Sequence, residues 1–68
     1  MTNAKLLVEY VEKSGLKRSY IAKQMGISAY SLSLKINNLS EFKASEIDTL
    51  CKLLDINIEE RMAIFFAK

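Results

Sequence analysis

A chain of 68 residues, half of them apolar and with a net charge of +2, makes one domain, 1–68, with enough apolar side chains for a single core, which excludes a disordered chain. The absence of proline and the presence of only two glycines, Gly15 and Gly26, exclude an all-β domain, which needs many more turn residues. With no histidine and one cysteine, Cys51, there is neither an internal disulfide nor a ligand set for zinc, and no apolar run is long enough to cross a membrane.

The pattern predicts five helices. The first spans about Asn3 to Lys13, where Ala4, Leu7, Val8 and Val11 recur at helical spacing, Thr2 or Asn3 caps the start and Ser14-Gly15 stops it. The second spans about Arg18 to Gln24 with Ile21, Ala22 and Met25 inward, and Gly26 ends it. The third opens at Ser28, a favourable N-cap, and runs to about Ile36. Leu32 and Ile36 lie four apart and point to the core, and Asn37-Asn38 closes it. Leu39 to Lys43 is a loop whose Phe42 plugs the core.

The fourth helix spans about Ser45 to Leu54, with Ile47, Leu50, Cys51 and Leu54 buried and Ser45 and Asp48 at capping-box spacing. Asp55-Ile56 is a turn, and Asn57 caps a fifth helix with Glu60 three residues on. Met62, Ile64, Phe65 and Phe66 crowd its end, either completing the core or offering a dimer contact. Cys51 is expected to be reduced and to behave as a small hydrophobe, and the N-terminus has no signal-peptide pattern, so the expected setting is the cytoplasm.

Charge is unevenly placed. From Lys13 to Lys43 six bases face one acid, Glu41, a local charge of +5. From Ala44 to Lys68 three bases face five acids, a local charge of −2. A positive middle and a negative tail suit a polyanion on one face only.

The segment Leu16 to Asn38, LKRSYIAKQMGISAYSLSLKINN, combines two short helices with a three-residue turn. Two helices that cross closely need a small residue between them, which Ala22 supplies. The turn needs a left-handed residue, which Gly26 supplies, while Ile27 and Leu32 close a small core and Ser28 caps the second helix. These residues, together with Gly15-Leu16, Met25 and Leu32-Ser33 followed by Lys35-Ile36-Asn37-Asn38, resemble the helix-turn-helix of the Cro and lambdoid-repressor (XRE) family. The resemblance runs on through Phe42, the helix after Ser45 and the turn into a fifth helix. Departures are Asn38 where the family usually has glycine, and Ser19-Tyr20 where acids are common.

The resemblance implies an all-α, five-helix, lambda-repressor-like domain with a helix-turn-helix over about 17–38. It further implies a transcriptional regulator on a double-stranded DNA operator in a bacterial cell, a Cro-like phage or prophage protein with no sensor domain. The helix from Ser28 to Ile36 would enter the major groove. Ala29, Tyr30, Ser33 and Leu34 are then the base-contact candidates, with Leu34 equally readable as core and Tyr30 able to fold back onto the surface. Lys17, Arg18, Ser28, Ser31, Lys35, Asn38 and Lys43 are the phosphate candidates, and Lys23 reads better as a solvated lysine. Two copies on an inverted repeat, a homodimer that stands alone or forms only on DNA, would supply specificity. No membrane, cofactor or small-molecule ligand is expected. A competing reading is a helical protein-interaction module using Tyr10, Tyr20, Tyr30 and Leu39. An enzyme is not expected, since no catalytic constellation or phosphate-binding glycine loop is present.

Overall fold

The computed structural model describes residues 1–66, which form five helices: α1 (Ala4–Ser14), α2 (Arg18–Met25), α3 (Ala29–Ile36), α4 (Ala44–Leu53) and α5 (Ile58–Phe65). The all-α expectation holds, each helix lies within a residue or so of its predicted bounds, and none is long and apolar enough to cross a membrane. Asn3, not Thr2, caps α1 by accepting the Leu6 N–H at 3.1 Å. Ser28 caps α3 through the Ser31 N–H at 3.0 Å. Asn57 and Glu60 form the expected reciprocal capping box, each side chain taking the other's N–H at 2.8 and 2.9 Å.

The expected Ser45–Asp48 cap is not what starts α4. The helix begins one residue earlier, and Glu46 accepts the Lys43 N–H at 2.8 Å. Asp48 is instead turned to Arg61 of α5, with which it forms an ion pair. The glutamate wins because its longer side chain reaches back over the first turn, the geometry that favours Glu at the third helical position.

Helices α2, α3 and α4 all end in the same way. A left-handed residue (Gly26 at φ 74°, Asn38 at φ 62°, Asp55 at φ 54°) donates its N–H three residues back, and the next residue donates five back. These are Schellman motifs, which satisfy the orphan carbonyls of the last turn. The residue after the left-handed one normally folds onto the helix. Ile27 and Ile56 do so, whereas Leu39 stays in solvent, 74% exposed.

All five helices feed the core. Leu7 and Val11 come from α1, Ile21 and Ala22 from α2, Leu32 and Ile36 from α3, Leu50 and Cys51 from α4 with Leu54 just beyond, and Ile64 and Phe65 from α5. Ala22 is buried between α2 and its neighbours, as a close crossing requires. Phe42 plugs the core edge-on against Phe65, ring centroids 5.4 Å apart. Cys51 is buried and free, and burial pushes its thiol up from the usual range.

The two ends of the described segment meet. The Asn3 N–H donates to the Ile64 carbonyl at 2.6 Å. The Asn38 side-chain amide pairs with both backbone groups of Thr2, at 3.0 and 2.8 Å. The end of α3 and the end of α5 are thus tied to the same short N-terminal stretch.

Candidate nucleic-acid interface

α3 has one buried side and one open side. Leu32, Lys35 and Ile36 are buried, while Ala29 and Tyr30 are exposed and Ser33 and Leu34 are half-buried on the opposite face. This division follows from helical geometry: positions 30, 33, 34 and 37 turn away when 32 and 36 point inward, while Ala29, on the side of Leu32, is exposed as the first residue of the helix. All four base-contact candidates are therefore accessible. Tyr30, 74% exposed, projects outward and does not fold back. Leu34 is not part of the buried core.

The phosphate candidates divide. Lys17 and Arg18 are exposed at the start of α2, and Lys43 is exposed at the start of α4, all three free of ion pairs among the described residues. Ser28 is exposed and Ser31 half-buried at the start of α3. The Ser28 oxygen accepts the Ser31 N–H, and its hydroxyl hydrogen is left to donate. Gly26 ends α2 and the turn after it leads into α3, and Glu46, bonded to both the Lys35 ammonium and the Lys43 N–H, holds Lys43 beside the end of α3.

One of the candidates is corrected. Lys35 is only 6% exposed, and its ammonium donates to Glu46 Oε1 at 2.6 Å and to the Glu41 carbonyl at 3.2 Å. Its charge is spent inside the protein, so it is not a phosphate contact. Asn38 sits at the surface with its amide bonded to both backbone groups of Thr2, which fixes its orientation and leaves one amide N–H to donate. With Lys35 neutralised, the basic middle keeps five bases against Glu41, a charge of +4.

Sequence reasoning missed Glu46, which is 7% exposed. One signal was available: Lys35 lies three residues after Leu32 and one before Ile36, beside the face that spacing turns inward. Nothing local marks Glu46, eleven residues away, as its partner. Burial works to raise the Glu46 carboxyl, but the hydrogen bonds from Lys35 and from the Lys43 N–H outweigh it and hold it below its ordinary value of 4.5.

Elsewhere, the hydroxyl of Tyr10 donates to Glu60, which raises the phenol and lowers the carboxyl. Tyr10 is half-buried against the core and is therefore less available as a docking residue than the competing reading supposed. At the C-terminal end, Ile64 and Phe65 are core, while Ile58, Met62 and Phe66, spaced by four, are exposed. No cluster of His, Cys, Asp or Glu able to hold a metal occurs among the described residues.

The sequence pattern of a family described as "Protein of unknown function (DUF739)" matches residues 2–68. Neither the curated proteins nor the solved structures contain a match.

Proposed function

We propose that this chain, which belongs to the DUF739 family, is a double-stranded-DNA-binding transcriptional regulator of the Cro and lambdoid-repressor type. The observation that carries this reading is the open face of α3. Ala29, Tyr30, Ser33 and Leu34 are accessible on a capped helix, Lys43 is held beside its end through Glu46, and Lys17, Arg18 and Lys43 are exposed and free of ion pairs among the described residues. A helix offered in this way fits a major groove, and exposed, unpaired cations fit the phosphates that border it.

Tyr30 and Ser33 donate or accept hydrogen bonds at base edges, while Ala29 and Leu34 meet thymine methyl groups. Arg18 and Lys17 pair with phosphate where the dipole of α2 adds to the attraction. Lys43 contacts the backbone at the far end of α3. A surface with so few cations binds one half-site weakly at physiological salt, so two copies on an inverted repeat supply the working affinity. The apolar surface available for contact between copies is the exposed stripe Ile58, Met62 and Phe66, because Ile64 and Phe65 are committed to the core.

The test is a titration onto duplex DNA at several salt concentrations. Each phosphate neutralised contributes about −0.9 to the slope of log affinity against log salt. Replacing Lys17 and Arg18 by Glu abolishes binding while leaving the cooperative unfolding transition in place. A flat salt response from the unaltered protein would sink the proposal.

The competing reading as a protein-docking module draws on the exposed Tyr20, Tyr30 and Leu39. The same double substitution separates the two, since a protein partner that docks on those apolar residues stays bound when the DNA is lost.

A further inference from the structure

The carboxylate oxygen Oε1 of Glu46 takes two hydrogen bonds, from the Lys35 ammonium at 2.6 Å and from the Lys43 backbone N–H at 2.8 Å. The same ammonium also holds the Glu41 carbonyl at 3.2 Å. One oxygen atom and one nitrogen atom therefore connect the last turn of α3 to both halves of the 39–43 loop and to the first turn of α4. Phe42 pins the loop from the other side through Phe65.

Both charges are withdrawn from water, and removing two charges from water costs about as much as their attraction returns. Well-packed apolar residues at 35 and 46 would serve stability at least as well. What an apolar pair cannot do is fix a direction. The salt bridge and its two extra hydrogen bonds hold the Lys43 backbone at a set distance from the end of α3, with the Lys43 side chain left outside and unpaired among the described residues.

We infer that Lys35 and Glu46 are positioning residues for DNA recognition: together they set where Lys43 meets phosphate relative to the bases read by α3. This rests on the DNA-binding reading above. Lys35 acts through Lys43 and touches no DNA itself. The consequence is that register along the duplex depends on a buried pair, since phosphate contacts fix register and base contacts then read sequence.

The test uses the full chain with Lys35→Met and Glu46→Gln combined. The new amide at position 46 still accepts the Lys43 N–H, and no charge is stranded, so the variant keeps the conditions for folding. Binding is measured by fluorescence anisotropy on the duplex recovered by selection from random-sequence DNA, and on an unrelated duplex of equal length. The positioning role predicts a loss of roughly tenfold on the selected duplex, little change on the unrelated one, and a salt slope on the selected duplex smaller by about 1, the share of one phosphate contact.

Lys43→Ala in the unaltered background should reproduce the loss of slope, and Lys43→Ala added to the double variant should then change nothing further. A double variant that melts earlier but keeps the selected-duplex affinity and slope overturns the positioning role and leaves a merely structural pair. Equal weakening on both duplexes also overturns it. Should the double variant not fold, the charge swap Lys35→Glu with Glu46→Lys decides. It keeps an ion pair with donor and acceptor exchanged, so residue 46 no longer accepts the Lys43 N–H and residue 35 no longer donates to the Glu41 carbonyl, and the inference demands the same losses from it. If the unaltered protein selects no duplex, the DNA-binding reading fails first, and that outcome is distinct because it appears before any variant is made.

Discussion

Gly26 and Asn38 perform the same backbone task with different side chains, and the difference tells what each position needs. At Gly26 a Cβ would meet nothing within 4 Å, so the demand is purely conformational. Gly26→Ala should cost about 1–2 kcal/mol through the left-handed φ alone, measured by urea unfolding. At Asn38 the left-handed φ is tolerated because asparagine visits that region, and the amide adds two bonds to Thr2. The glycine was legible from its place in the motif; the bonds to Thr2 were not, since they join residues 36 apart. Glu46 carries a pH signature. Its folded carboxyl lies below the ordinary 4.5, so its contribution is complete above that value and drains away as pH falls through the lowered one. The urea midpoint should fall on going from neutral pH into this acid range, and the fall should shrink in the Lys35→Met/Glu46→Gln variant. Glu46→Gln alone strands the Lys35 charge and should cost on the order of 3–5 kcal/mol at neutral pH.

At the scale of the helix, periodicity and caps were the reliable guides. Asn3, Ser28 and Asn57 start their helices with the side-chain bonds expected of them, and Asn57→Ala should lower stability by about 1 kcal/mol in a thermal or urea melt. α4 was harder to place because a serine and an aspartate imitate a cap while the functioning glutamate is already paired with a lysine. For α3, spacing divided the helix correctly into a buried and an open side. The same spacing put Lys35 beside the buried side, where its charge made it look like a surface contact. Tyr30→Ala tests the open side. Because the ring is 74% exposed, stability should change by less than about 0.5 kcal/mol, while affinity for a selected duplex should fall by about 1–3 kcal/mol in the anisotropy titration.

At the scale of the molecule, a core drawn from all five helices was foreseeable from the apolar stripes, as was the basic character of the middle of the chain. The relative placement of charges was not foreseeable, because Lys35 and Glu46 belong to segments of opposite net charge and cancel only after folding. The division of the final apolar cluster, with Ile64 and Phe65 inside and Phe66 outside, likewise depends on how α5 rolls against α1. The hydrogen bond from Asn3 to Ile64 has a practical corollary. Where residues 3 and 64 lie this near, a few flexible residues suffice to link these two stretches and the chain can be reopened elsewhere. Cutting at solvent-facing Ser40 would yield a rearranged molecule with the same helices in a new order of synthesis, in which the lysine and glutamate of the buried pair come from opposite ends of the polypeptide.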